Sequence, residues 1–132
     1  MTYDQQVTDA EVVFVGSVRS SSVESKRGKN DFALSLRTTS FAVDCTLRGD
    51  RDQRVEVTEI YGEDHANRVA KGGTYLVFGE YRTLLGEYRR LVPMGYLQGI
   101  YAVDERGRAS NESNGEHELA EVVREVEARG SR

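Results

Sequence analysis

Most of this chain is written as short runs of β-branched and aromatic residues that alternate with polar ones and are cut by Gly and Asp turns. A period of two puts every second side chain on one face of a strand. Such runs fold only where a sheet supplies their hydrogen bonds and a core covers one face. The first run, Ala10 to Val18, carries Val12, Val13, Phe14 and Val15 without a break and reads as a strand buried on both faces. Gly16 inside it weakens a strand unless the backbone bends or is closely approached there, so it marks a coiling point. After the polar turn Lys26 to Asp31, Phe32, Leu34 and Leu36 share one parity, and Phe41, Val43, Cys45 and Leu47 share the other. A phase change between Arg37 and Ser40 predicts a β-bulge near Thr38. A tight turn at Thr38-Thr39 is the poorer reading, because threonine is a weak turn former.

The pattern continues through the turn Arg48 to Asp52, a third strand marked by Val55, Val57 and Ile60, and a short helix over Glu63 to Ala70. Lys71-Gly72-Gly73 breaks the chain before the central strand Thr74 to Phe78. Leu85-Gly86-Glu87 turns it into Tyr88 to Val92, which Pro93 ends because proline donates nothing to a ladder. Gln98 to Val103 is the last strand, followed by the turn Asp104 to Gly107. The period then changes: Leu119, Val122, Val123 and Val126 fall at i, i+3, i+4 and i+7, one stripe of a helix. Ser113 with Glu116 three residues on spells a capping box. The expected fold is mainly β, a barrel or sandwich over about 9–110, with an amphipathic helix over about 114–129 docked on it. The 132 residues make one domain.

Composition removes several classes. Hydrophobic residues at 38% with 30% charged residues suit a packed core and rule out wholesale disorder. A net charge of -4, with Lys26-Arg27 and Arg89-Arg90 too short for a phosphate-tracking stripe, disfavours nucleic acid. Cys45 is alone, so no intrachain disulfide forms; in a strand it reads as a small buried hydrophobe. No stretch approaches the roughly 20 apolar residues that span a bilayer. Met1-Thr2-Tyr3-Asp4 is polar and does not read as a signal peptide, which leaves a cytosolic protein or an extracellular domain trimmed of its leader.

Asp9-Ala10-x-x-Val13-Phe14-Val15-Gly16-x-Val18, Thr39-x-Phe41-x-Val43 running to Leu47-Arg48-Gly49-Asp50, Val55-x-Val57-Thr58 and Gly73-x-Tyr75-Leu76-Val77-Phe78 follow one another in this order. Together they resemble bacterial relatives of the netrin/TIMP-like domain, over about Asp9 to Phe78. The resemblance implies a five- to six-stranded OB-type barrel and an extracellular or cell-surface setting. The metalloproteinase inhibitors of that family clamp zinc with an N-terminal Cys and fix the edge with disulfides. Here residue 1 is Met and Cys45 stands alone. The resemblance therefore carries no inhibitory residue over, and Gly95 to Asn111 departs from the family.

No motif assigns catalysis, a metal or a cofactor. His65 and His117 lack partners at ligand spacing, and neither HExxH nor CxxC occurs. No serine sits in a Gly-x-Ser-x-Gly elbow. Lys71-Gly72-Gly73-Thr74 has the composition of a phosphate loop in the wrong order and reads as a turn. Glu56, Glu59, Glu63 and Asp64 cluster at one strand end, as carboxylates scattered over an acidic surface do. Arg48-Gly49-Asp50 reads as a turn, not an integrin signal, and Asn111-Glu112-Ser113, a formal glycosylation sequon, reads as cap chemistry.

Tyrosine and arginine are the suggestive pair. Tyr75, Tyr81 and Tyr88 flank the Leu84-Leu85-Gly86 turn, with Arg82, Arg89 and Arg90 beside them, and Tyr96 and Tyr101 follow. Binding surfaces enrich these residue types. The expected function is a non-enzymatic module of a secreted or cell-surface protein that binds a protein or peptide through Tyr81, Arg82, Tyr88 and Arg89. The alternative is a cytosolic OB-type binder of single-stranded nucleic acid or oligosaccharide, with aromatics as stacking platforms.

Overall fold

The computed structural model describes residues 1–28, 31, 33–60 and 69–130. A short N-terminal helix α1 (Tyr3–Asp9) is followed by five strands: β1 (Val12–Arg27), β2 (Ala33–Arg48), β3 (Arg54–Ile60), β4 (Thr74–Leu84) and β5 (Tyr88–Pro93). A 3-10 turn (Tyr96–Gly99) leads to β6 (Ile100–Val103), β7 (Arg108–Asn111) and β8 (Gly115–Glu118), and helix α2 (Leu119–Gly130) ends the chain. All eight strands belong to one antiparallel sheet, in the order β3-β2-β1-β4-β6-β7-β8, with β5 also on β4. The sheet does not close. A closed barrel of five or six strands is therefore not what the ladders form. The short, polar β7 and β8 add a wing beyond β6, and no ladder joins β3 to β5 among the described residues.

The N-terminal part of β1 pairs with β2 on one edge and, from Val12 to Ser17, with β4 on the other. Its backbone groups are thus spent on both sides, and both faces are free to be apolar. One face holds Val12, Phe14 and Val18, packed with Phe41, Val57, Tyr75, Val77, Leu91 and Ile100. The other holds Val13 and Val15, packed with Leu76, Phe78, Met94, Tyr101 and both helices. As the sequence stripe predicts, α2 docks with Val122 and Val126 fully buried.

The β1–β2 ribbon is strongly coiled, and its extra residues are not at Thr38. Register shifts leave Leu47 and Asp44 unpaired on β2 and Arg19 unpaired on β1. From Leu36↔Ile60 to Ala42↔Arg54 the β2–β3 ladder runs without interruption. Leu36 and Thr39 are both buried although their parities differ, because the coiling ribbon turns first one face and then the other inward. The Asp44 bulge also shifts Cys45 out of the inward phase, so this cysteine is exposed rather than buried. Gly16 sits at the same irregularity: a Cβ there would lie 2.7 Å from the Ala42 carbonyl oxygen.

Polar anchors complete the second core. Thr2 caps α1 through the Gln5 amide at 3.2 Å, and the Gln5 side chain accepts from the Thr2 amide at 2.9 Å. Gln6, fully buried, donates to the Gln98 carbonyl at 2.6 Å and accepts from the Tyr101 hydroxyl. Arg48 donates to Ala10 O at 2.9 Å and Val126 O at 3.2 Å, binding β2 to both helices. The Arg48-Gly49-Asp50 tripeptide is thus a turn, with Gly49 at φ 98 and its arginine turned inward.

The capping-box reading of Ser113 and Glu116 is corrected. Glu116 lies in β8 and accepts from Arg108 at 2.9 Å, and α2 starts at Leu119, whose amide donates to Gly107 O at 2.8 Å. The polar residues there make a hairpin turn: Asn111 Oδ1 accepts from the Asn114 amide at 2.7 Å, and Gly115 takes φ 74. The Asn111 side-chain amide also donates to Gln98 O at 2.9 Å and Ile100 O at 3.2 Å, so the sequon asparagine staples β7 to the 3-10 turn and the start of β6. The helix expected over Glu63 to Ala70 falls largely outside the described residues.

Gly16→Ala is expected to lower unfolding free energy by about 2 kcal/mol through the clash with Ala42, read as a shift in the urea midpoint. Burial pushes the Tyr101 phenol from 10.0 up to about 12. Its proton is therefore held more tightly in the folded state. The resulting stability is complete below about pH 10 and is lost as pH rises toward 12. Phenolate absorbance and circular dichroism followed over that range should show Tyr101 ionising together with unfolding.

Candidate functional site

Beyond Gly79, β4 leaves β1 and continues as a hairpin with β5. Leu85 (φ 55) and Gly86 (φ 68) occupy the turn, and the Glu87 amide donates to Leu84 O at 3.0 Å. Left-handed φ at both central positions is the type I′ turn that matches strand twist.

The ladder pairs Tyr81 with Leu91, Arg82 with Arg90, Thr83 with Arg89 and Leu84 with Tyr88. Side chains alternate, so Tyr81 and Arg89 share one face, and Arg82 and Tyr88 share the other. The four residues singled out by composition form two separate pairs, not one surface.

Tyr88 acts as a strut. Its hydroxyl donates to Arg27 O at 3.2 Å, and Lys26 and Arg90 lie over its ring at 5.3 and 5.7 Å. The chain's own cations occupy this ring, and the hairpin tip is tied to the end of β1. Arg82 on the same face forms an ion pair with Glu80.

Tyr81 is different. It is 41% exposed, and Arg89 lies over its ring at 5.1 Å. Its amide donates to the Glu11 carboxylate at 3.3 Å, which holds the backbone in place. Tyr81 and Arg89 lie along a groove of about 360 Å³ whose lining also includes Asp50, Asp52, Arg54, Glu56 and Arg90, the Arg90 guanidinium itself lying over Tyr88 on the other face. Val12, Val55 and Leu91 complete its lining, Leu91 being buried. The acidic residues come from the β2–β3 turn and β3. The sequence marked Asp50 and Asp52 only as turn residues, and nothing local signals that the coil of β1–β2 carries them to the same groove as Tyr81.

A second, smaller cleft of about 170 Å³ lies where β3 approaches the β4–β5 hairpin. Thr58, Glu59, Ile60, Glu80, Arg82, Leu84, Val92 and Pro93 are among its lining. The carboxylate cluster read from the sequence is divided accordingly: Glu56 lines the groove, Glu59 is buried at the cleft, and Glu63 and Asp64 lie outside the described residues, as does His65. His117 stacks on Tyr3 with ring centroids 3.9 Å apart and lies 2.8 Å from the Asn114 carbonyl. Among the described residues no three His, Cys, Asp or Glu side chains converge as metal ligands, and no helix is long and apolar enough to cross a membrane.

No protein-family model, curated protein or solved structure matches the chain.

The hairpin that presents Tyr81 and Arg89 carries one strained position. A branched side chain at φ 55 costs roughly 1 kcal/mol relative to residues that favour the left-handed region. Leu85→Asn is expected to stabilise the chain by about that amount, measured as a higher thermal midpoint.

Proposed function

We propose that this chain is an OB-type binding module that receives an extended polypeptide segment in the groove beside Tyr81. Strand order supports the OB-type reading. β3, β2, β1, β4 and β5 are consecutive neighbours, and antiparallel pairing throughout makes β3 and β5 run in the same sense as β1. β3 and β5 approach within 8 Å, Cα to Cα, so the five strands wrap around the core of Phe14, Phe41 and Val77. The groove then opens at the mouth of that barrel. The netrin/TIMP-like kinship and a secreted or cell-surface setting belong to the same proposal.

One observation carries the choice of partner: Asp50, Asp52 and Glu56 share the groove with Tyr81 and Arg89. A phosphate backbone entering it meets three carboxylates within a net acidic chain, whereas a polypeptide of mixed charge finds counter-charges of both signs. Tyr88, the other aromatic on this hairpin, is covered by Lys26 and Arg90 and offers little stacking surface to a base. Nothing in this reading requires bond making or breaking.

Amide-resolved titration of the full chain with a mixed peptide pool and, separately, with an oligothymidine strand at low salt tests it. Peptides are expected to shift Tyr81, Arg89 and Leu91, and the oligonucleotide to shift none of them. Tyr81→Ala is expected to weaken peptide binding by about tenfold. Saturable, salt-dependent oligonucleotide shifts at Tyr81 would overturn the polypeptide reading in favour of single-stranded nucleic acid.

A further inference from the structure

The turn between β7 and β8 reads Asn111-Glu112-Ser113-Asn114-Gly115. Asn114 is half-buried there and bonded through both its side chain and its backbone. Its side-chain amide donates to Met1 O at 3.2 Å and Gln98 O at 3.4 Å. Its backbone amide donates to Asn111 Oδ1 at 2.7 Å, and its carbonyl lies 2.8 Å from His117 Nε2. His117 in turn stacks on Tyr3 of α1 with ring centroids 3.9 Å apart. Asn114 and His117 thus tie the N-terminal segment to the hairpin. The residue after Asn114 is Gly115, exposed, at φ 74, with nothing within 4 Å of where a Cβ would stand.

We infer that Asn114 is a site of spontaneous modification, at which loss of the side-chain amide converts asparagine to an aspartyl or isoaspartyl residue and loosens α1 from the β7–β8 hairpin. The Gly115 amide nitrogen gives up its proton to solvent and attacks Asn114 Cγ. The new N–Cγ bond closes a cyclic imide, the Cγ–Nδ2 bond breaks, and the nitrogen departs as ammonia with a proton from solvent. Water then opens the imide at either carbonyl. Cleavage of N–Cγ leaves an aspartyl residue, and cleavage at the main-chain carbonyl leaves an isoaspartyl one. Gly115 suits the attack because it has no side chain to crowd the approach of its backbone nitrogen. It pairs with Asn111 while the hairpin is closed. β8 is only four residues long, ends the strand order of the sheet and exposes Gly115, Glu116 and Glu118. Such an edge opens locally at little cost, which frees the nitrogen to react. Asn111 differs on both counts: the Glu112 side chain crowds the same path, and its amide is held by Gln98 O and Ile100 O.

The products cannot keep the tether. A carboxylate has no donor for the Met1 and Gln98 carbonyls and sets acceptor against acceptor. The isoaspartyl form also routes the main chain through Cγ, and the added backbone carbon moves His117 from its register on Ala109.

The full chain, held at mildly alkaline pH and sampled over time, tests this. Peptide mapping with isoaspartyl methylation locates the modification, and hydrogen exchange reads the α1 amides of Gln6 and Val7. Conversion is expected at Asn114 ahead of Asn111, with exchange at Gln6 and Val7 about tenfold faster in the converted fraction. Asn114→Asp is expected to show the faster exchange from the start, and Asn114→Ser, which removes the amide without adding charge, a smaller gain. An Asn114 that keeps its amide while an unfolded peptide of residues 109–118 loses it under the same conditions overturns the site. Exchange at Gln6 and Val7 that stays as slow in the converted chain and in both variants as in the parent overturns the loosening of α1.

Discussion

The molecule is built against one strand pair buried on both faces. From Val12 to Ser17, β1 has β2 on one edge and β4 on the other, so its backbone is paired on both sides. Two cores can then stand back to back on it. Val12 and Phe14 point into the core that holds Phe41 and Val77, and Val13 and Val15 point toward the helices. Gly16 makes the arrangement possible, since the coil of the ribbon drives the Ala42 carbonyl to where a Cβ would be. Bulges at Asp44, Leu47 and Arg19 add the local twist that carries β3 round toward β5.

The groove begins where that pair ends. Past Gly79, β4 keeps only β5, and a lone two-stranded ribbon is marginal in water. The chain ties it down with aromatic and cationic residues: Tyr88 to Arg27 O, Lys26 and Arg90 on the Tyr88 ring, and Glu11 to the Tyr81 amide. Tyrosine and arginine in this segment thus have two roles. On one face they hold the hairpin in place, and on the other they leave an exposed ring in the groove that Asp50, Asp52 and Glu56 also line. Sequence composition cannot separate the two roles, because strand alternation assigns the faces and only the folded sheet says what each face meets.

The local and the long-range parts of the fold differ in legibility. The runs around Phe14, Phe41 and Val77 and the Leu119 to Val126 stripe carry clear strand or helix patterns and form those elements, although the Asp44 bulge turns Cys45 out of the phase of the Phe41 run. β7 and β8 have no apolar alternation, since Arg-Ala-Ser-Asn and Gly-Glu-His-Glu become strands only by pairing with each other and with β6. α1 is short, and its signal is the reciprocal cap between Thr2 and Gln5, which the polar opening Thr2-Tyr3-Asp4 conceals. The candidate site was legible only in part. Tyr81 and Arg89 stood out by residue type and Glu56 only as one of a carboxylate cluster, whereas Asp50 and Asp52 read as turn residues, because these acidic residues join the groove across the seam between β3 and β5.

By itself, the sequence determined the strand character of the chain, the coiling glycine, the Leu85-Gly86 turn and a terminal helix with one apolar face. These follow from side-chain period and backbone conformation, which act over a few residues. The tertiary structure alone decided that the sheet stays open with eight strands, that the extra residues fall at Arg19, Asp44 and Leu47, and that Tyr81 and Tyr88 face opposite ways onto different neighbours. Those outcomes depend on register between distant strands, where a shift of one residue exchanges the faces. Local pattern specifies that each run is a strand; only pairing with its neighbours determines which side of it becomes core and which becomes site.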